Sequence, residues 1–253
     1  MSDVTFVIQA RLGSTRLPNK IVLPFSEGKS IFEITLEKLK VNFPEYDIVL
    51  STSSHPQNDL LVEIANHFSF NSYRGSENDV LKRFIETAKT FDSRKIIRIC
   101  ADNPFLDMKE LRVLLDYVSN NCEDDYVSFK VNDVPSIRTH FGFWTEYVTL
   151  EALHRTSLIT QEQYYHEHVT NYIYENPEIF KIKFLPVTPI LEGRNDIRMT
   201  LDTLTDFQLL SEIYKELSQK YEKKFGIEEI VAFLNSNSEY NSIMKEQINL
   251  NSK

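Results

Sequence analysis

The stretch Ala10-Arg11-Leu12-Gly13-Ser14-Thr15-Arg16-Leu17-Pro18-Asn19-Lys20 concentrates groups that could hold a polyanion. Arg11, Arg16 and Lys20 carry positive charge, the arginines with a planar fork that suits phosphate oxygens. Ser14 and Thr15 add hydroxyl donors, and Gly13 lets a ligand approach the backbone. No acidic residue falls between Asp3 and Glu27, in a chain whose formal charge is −9. The spacing is not that of a Walker loop, which needs a second glycine followed by Lys and then Ser or Thr. The bland alternative is a basic surface turn.

Two carboxylates far along the chain could meet that charge. Asp102 follows the run KIIRIC and Asp202 the run IRMTL, so each closes a predicted strand and both can face one edge of a sheet. Two aspartates are sufficient for Mg²⁺, which takes few carboxylates and completes its shell with phosphate oxygens and water. Each also has an ordinary structural reading, Asp102 as a turn residue and Asp202 as a helix cap. Ser51-Thr52-Ser53 either lines a base pocket or supplies common loop hydroxyls. His166 and His168, two apart on a predicted helix, point to different sides and make a poor zinc pair.

The elements that must position these groups alternate. Val4–Gln9 is a compact apolar run, the mark of a buried strand, and the basic loop leaves its C-terminal end. Ser30-Ile-Phe-Glu33 is a capping box that opens a helix. A strand follows at 47–51, a helix at 58–68, a short strand at 70–73 and a helix from the Ser76–Asp79 cap to Phe91. A strand at 95–100 and a helix opened by Asp107 complete a run that argues for a parallel, doubly wound sheet. Beyond Asp124 the pattern predicts a strand at 126–131, a loop at 132–143, and helices at 144–154 and 161–174. It then predicts strands at 180–187 and 197–201 and helices at 205–221 and 227–234. This reads as a single domain over 1–235 with an insertion of about 125–190, and an Asn- and Ser-rich tail over 236–253 that frays.

The acidic charge argues against nucleic-acid or membrane-surface partners, which need basic stripes. No apolar run approaches the length that crosses a bilayer, and no basic leader precedes the first strand, so a cytoplasmic protein is expected. Cys100 and Cys122 make neither a disulfide framework nor a zinc cluster and are read as reduced thiols.

Several ordered motifs resemble a known family. Arg11-x-Gly13-Ser14-Thr15-Arg16-Leu17-Pro18-x-Lys20 closely resembles the signature of the cytidylyltransferases that include CMP-Kdo synthetase and CMP-sialate synthetase. The stretch Arg74-Gly75 through Asp79-Val80-Leu81 to Arg83 is similar to a segment of the branch named for the spore-coat polysaccharide protein SpsF. So are Ile97-Arg98 through Asp102-x-Pro104, Glu167-His168-Val169-Thr170, and Arg198-x-Thr200-x-Asp202-Thr203. Two positions depart from the pattern: Asn19 stands where the family has Gly, and Ala101-Asp102-Asn103-Pro104 replaces Gly-Asp-Cys-Pro. Asn is the best substitute for Gly where the backbone turns left-handed.

The resemblance implies a Rossmann-like nucleotide-diphospho-sugar transferase fold, three layers α/β/α around a mostly parallel sheet, with a β-containing insertion. It implies transfer of a nucleoside monophosphate, CMP from CTP, to a surface-polysaccharide sugar acceptor, an ulosonic or nonulosonic acid, with release of pyrophosphate. Another NTP is the open alternative to CTP. Asp102 and Asp202 would hold Mg²⁺, and Arg11 and Lys20 would offset charge on the departing pyrophosphate. Ala10, Gly13, Ser14, Thr15, Arg16, Arg74 and Gly75 would lie along the nucleotide, with Asp79 and Arg83 shaping its pocket beside Thr52. Glu167 and His168 would be near the acceptor sugar or a dimer contact, and His140 and Gly142 on the sugar side. A homodimer formed through the insertion is implied as well. The rivals are a glycosyltransferase, although no two aspartates lie two apart as an Asp-x-Asp pair would, and a non-catalytic nucleotide-binding homologue.

Overall fold

The computed structural model describes residues 3–120 and 123–251. Cys122, read above as a reduced thiol, lies outside the described residues. Strand β1 (Val4–Gln9) is the centre of the sheet, paired in parallel with β4 (Asp47–Ser53) on one side and β6 (Lys95–Cys100) on the other. β5 (Asn71–Gly75) adds in parallel beyond β4. Between these strands run α1 (Ile31–Asn42), α2 (Asp59–His67) and α3 (Val80–Thr90), and α4 (Met108–Asn120) follows β6. A two-stranded ribbon, β2 (Pro24–Ser26) and β3 (Lys29–Ser30), leads from the basic loop into α1.

Alternation along β1 divides the core between two helical layers. Phe6 and Ile8 pack with α1 and α4, whereas Val7 packs with Val80, Phe84 and Ala88 of α3. Both faces are apolar, as a parallel strand covered on each side requires. The capping box at Ser30 and Glu33 forms as the sequence indicates. Asp79 caps α3 by accepting from the Lys82 amide at 2.8 Å.

The chain after Asp124 joins the same sheet. β7 (Tyr126–Val131), with β8 (Val134–Pro135) on it, pairs antiparallel with β9 (Glu146–Thr149) and parallel with β10 (Ile182–Pro186). β9 fills the slot beside β6, giving the order β10-β7-β9-β6-β1-β4-β5.

Four expectations change here. The predicted helix at 144–154 begins as strand β9 and turns helical only at α5 (Leu150–Ile159), where Thr149 caps by accepting from Ala152. Pairing with two flanking strands outweighs local helical preference. The predicted helix at 161–174 breaks into α6 (Gln163–Glu167) and α7 (Asn171–Glu175), because Val169 is buried and the Thr170 hydroxyl turns inward to Glu146 at 3.1 Å. The predicted strand at 197–201 is not a strand; the Met199 and Thr200 amides both donate to the His140 carbonyl.

The tail expected to fray forms a helix. After α8 (Leu204–Lys220) and α9 (Ile227–Ser236), α10 (Ser238–Leu250) buries Tyr240, Met244 and Gln247. Met244 accepts from the Arg198 amide and Gln247 from the Thr203 hydroxyl, so α10 backs the segment that carries Asp202. Its polar residues hide a helical stripe too sparse to show as amphipathic in composition.

Candidate active site

The basic loop leaves β1 at the edge of the sheet where open α/β folds bind ligands. The Ala10 amide reaches the Ser51 carbonyl at 3.4 Å, and the Leu12 amide donates to Asn58 Oδ1 at 2.9 Å, so the loop is anchored at its start. Asn19 has φ of 59°, the left-handed conformation for which Asn replaces Gly most readily. That turn sends Lys20 back under the loop, where its side chain is 11% exposed.

Lys20 Nζ donates to Asp102 Oδ2 at 2.8 Å and to the Leu201 carbonyl at 2.5 Å, with Asp202 Oδ1 at 3.8 Å. One ammonium therefore joins carboxylates from two distant segments. Arg16 Nη2 reaches Asp202 Oδ1 at 2.9 Å from the exposed side. Asp102 comes from the turn after β6, held by the Ala101 amide on the Gln9 carbonyl at 3.2 Å.

Asp202 is fixed from behind by residues that sequence reading left without a role. Arg198, almost wholly buried, contacts Asp206 with Nε and Nη2 at 2.8 and 2.9 Å, Asp202 Oδ2 at 3.0 Å and His140 Nδ1 at 2.6 Å. Burial works against the Asp206 carboxylate, but the Arg198 guanidinium and backbone amides outweigh it and hold its pKa below the usual value. Thr203-x-x-Asp206 was the available signal for Asp206, since it has the spacing of a capping box at the start of α8 and the box forms; Arg198 and Asp202 precede the helix, and their pairing follows from the fold.

A cleft of about 100 Å³ opens beside the two aspartates, lined among others by Cys100, Gly142, Trp144 and Thr200. Gly142, on the expected sugar side, borders it with φ of 65°, and a Cβ there would lie 3.0 Å from the Met199 carbonyl oxygen. His140 touches the site through Arg198, whereas Phe141 and Phe143 are core residues.

The other anticipated residues form a second group around the ends of β4 and β5. Arg11 reaches Glu167 at 3.3 Å and Glu77 at 3.6 Å and contacts neither aspartate. Gly13 lies beside Gln57 and Glu77, and Ser14 and Thr15 sit on the outer part of the loop. Arg74 pairs with Asp59 at 2.6 Å and donates to the Ser54 and His55 carbonyls. Gly75 packs against Arg83, and Thr52 is buried with an unpartnered hydroxyl.

Asp79 also pairs with His166 at 2.9 Å. Burial lowers the affinity of His166 for a proton, but the Thr160 carbonyl and the Asp79 carboxylate raise it further, so the pKa lies above the ordinary value. His168, its ring tilted by 57° against that of Tyr164, is pushed down by burial. The ring of His166 is thus tied to the cap of α3 while that of His168 packs on Tyr164, so the two rings have different partners. Among the described residues no group of three or more His, Cys, Asp or Glu side chains could hold a metal. The donor set at Lys20 still suits a hard cation, because two carboxylates already converge on one positive charge.

Sheet order, the loop after β1 and the paired aspartates describe a nucleotide-handling α/β enzyme. The chain belongs to the cytidylyltransferase family, whose model matches residues 5–242, and it is accordingly a nucleotidyltransferase. It is 37% identical over 238 residues to an uncharacterized protein of Methanocaldococcus jannaschii, covering 94% of this chain and 92% of the relative. It is 29% identical to the spore coat polysaccharide biosynthesis protein SpsF of Bacillus subtilis, covering 94% and 96%. Among solved structures, a cytidylyltransferase from Leptospira borgpetersenii superposes with a TM-score of 0.83 at 30% identity, over 97% and 98% of the two chains. CMP-2-keto-3-deoxy-manno-octonic acid synthetase in complex with CTP shares the fold with a TM-score of 0.63 at 14% identity, over 87% and 100%. No helix among the described residues is long and apolar enough to cross a membrane.

Proposed function

We propose that the protein transfers CMP from CTP to a hydroxyl of a surface-polysaccharide sugar, an ulosonic or nonulosonic acid, and releases pyrophosphate. The observation that carries this reading is the Lys20 ammonium between Asp102 and Asp202, with Arg16 on the outer side. The name of the Bacillus relative and the CTP complex of the structural neighbour support the choice of pathway and nucleotide.

In this reading the loop at 11–20 binds the triphosphate, with Arg11, Arg16 and Lys20 exchanging carboxylate partners for phosphate oxygens. Asp102 and Asp202 would hold a divalent cation, Mg²⁺, which when bound neutralises charge on the phosphates. The sugar oxygen forms a bond to the α-phosphorus as the bond to the β-phosphate bridging oxygen breaks, and the hydroxyl proton passes to solvent. Arg11 and Lys20 offset the charge that builds on the departing pyrophosphate, so positioning and charge neutralisation account for most of the rate. The acceptor occupies the cleft beside Gly142 and Trp144, whose lining does not include Glu167 or His168; Glu167 lies instead on Arg11 of the basic loop. A cytoplasmic homodimer joined through residues 125–190 belongs to the same proposal.

Pyrophosphate release, measured with each nucleoside triphosphate and a panel of ulosonic and nonulosonic acids, tests the reading. Release with CTP and an acid is the expected result. Cleavage of a nucleotide sugar without triphosphate turnover would replace it with a glycosyltransferase. Nucleotide binding with no turnover on any acceptor would leave a binding protein.

A further inference from the structure

A second cavity, of about 330 Å³, opens between the β2–β3 ribbon, α1 and α8 and shares no lining residue with the cleft at the aspartates. Its volume is at the small end of those that hold organic ligands. Ile34, Val41 and Tyr214 give it apolar walls, and Lys38 of α1 brings a charge to it. Lys38 Nζ donates to the Pro104 carbonyl at 3.1 Å and lies 5.2 and 5.6 Å from the ring centroids of Tyr214 and Phe225. An ammonium has three N–H groups, and among the described residues no second oxygen accepts from this one and no carboxylate pairs with it. Burial lowers its pKa to about 8, with the Asp107 carboxylate acting in the opposite direction. A cation so placed is short of an anion.

The other lining charges cancel among themselves. Lys29 pairs with Glu37 at 2.6 Å and Lys223 with Glu27 at 2.5 Å, while Lys224 and Glu222 balance in number. Four lysines against three glutamates leave one positive charge in excess, which suits a monoanion and disfavours a dianion. The same Lys38 nitrogen also reaches the active-site turn. Pro104 lies two residues after Asp102, and Phe105 beside it packs edge-on against Tyr214 with 5.5 Å between centroids. The cavity wall and the turn that carries Asp102 are therefore joined by a hydrogen bond and a ring contact.

We infer that this cavity binds a small carboxylic acid with an apolar body, its carboxylate accepting from Lys38, and that occupancy is transmitted to the Asp102 turn through Pro104. The inference goes beyond nucleotidyl transfer and does not rest on it. The carboxylate takes the N–H groups that Pro104 leaves over, and the apolar body lies on Ile34, Val41 and Tyr214. A neutral molecule of the same shape gains the walls without the charge. A phosphate dianion meets three glutamates and a single unpaired buried lysine, so it binds less well than a carboxylate. Because one nitrogen serves both the ligand and Pro104, a change at one is felt at the other.

NMR titration of the full chain with benzoate, benzamide and inorganic phosphate tests the site. Benzoate and benzamide share a shape and differ in charge. The wild type should bind benzoate at least about tenfold more tightly than benzamide, as one hydrogen bond to a charged group supplies. Lys38→Met keeps the stem and removes the charge, so the ratio should fall to within about twofold. If Lys38→Met does not fold, Val41→Glu, at a position 73% exposed, sets a like charge at the mouth and should cut the ratio about threefold at low ionic strength. The amide signals of Asn103 and Phe105 should shift as benzoate saturates the wild type and stay in place in the variant. Equal affinity of the wild type for benzoate and benzamide, tighter binding of phosphate, or a ratio that survives substitution overturns the site. Benzoate binding that leaves the Asn103 and Phe105 signals unmoved overturns the link to Asp102.

Discussion

Removing Arg198 tests whether the buried ion cluster behind Asp202 organises the site. Arg198→Met deletes two contacts to Asp206, one to Asp202 and one to His140, at side chains that are 1% exposed for Arg198 and 2% for Asp206. Taking one partner from a buried pair costs about 3–5 kcal/mol because the other charge is stranded. Asp206 would keep the amides of Asp202 and Thr203, at 3.0 and 2.9 Å, which favours the lower end. A loss of about 3 kcal/mol corresponds to a fall of about 6–12 °C in Tm for a chain of this size.

The sign with pH follows from Asp206. Its folded pKa is depressed, so in the wild type its contribution is present above the unfolded value near 3.8 and is lost as the pH falls through the lower folded value. Without Arg198 burial dominates and the folded pKa rises, so the deficit of the variant should shrink as the pH approaches about 4. The double variant Arg198→Met/Asp206→Asn should recover at least about 1 kcal/mol of the summed single losses, measured by urea unfolding. Turnover should drop sharply in Arg198→Met, since Asp202 loses its inner support. Strict additivity in the cycle, together with unchanged turnover, would refute the reasoning.

Asp202→Asn should abolish pyrophosphate release while leaving the circular dichroism spectrum unchanged; wild-type rates at limiting Mg²⁺ would remove Asp202 from the mechanism. Lys20→Met leaves Asp102 and Asp202 without their shared cation, so its Tm should fall and should recover with MgCl₂ by more than the wild type gains. Asn19→Ala forces an L side chain without local hydrogen bonding into φ of 59° and should cost about 1 kcal/mol, whereas Asn19→Gly should be neutral or slightly stabilising in urea. His166 has a raised folded pKa, so its link to Asp79 stabilises fully below about pH 6.5 and weakens as the pH rises through the folded value; His166→Gln should flatten that part of the Tm profile.

Much of the nucleotide half was legible from local pattern. Phe6, Val7 and Ile8 form a continuous apolar run because β1 is covered on both faces, and Ser30 with Glu33 closes its own capping box within one turn. Asn19 stands where the resembling family has Gly and is the residue that best replaces it in a left-handed turn, and the backbone adopts that conformation. The second half misled for a physical reason. Glu146–Thr149 can be helix or strand, and only the gap between β6 and β7 makes it β9. The break at Thr170 depends on the buried Glu146 carboxylate, which shares its oxygens with Arg98 and Tyr126.

Sequence alone determined the strand and helix order through β6, apart from the β2–β3 ribbon, and the basic loop after β1, and it singled out the two aspartates as candidates, because each is a local or motif property. Tertiary structure decided which charges meet. Lys20 lies between Asp102 and Asp202, whereas Arg11, only nine positions earlier by number, turns to Glu77 and Glu167. Tertiary structure also placed α10 behind Asp202 and left Glu77, before α3, and Arg83, within it, with unpartnered atoms. Pairing between residues this far apart along the chain depends on the path of the folded backbone and on what burial leaves unsatisfied, and neither is written in local spacing.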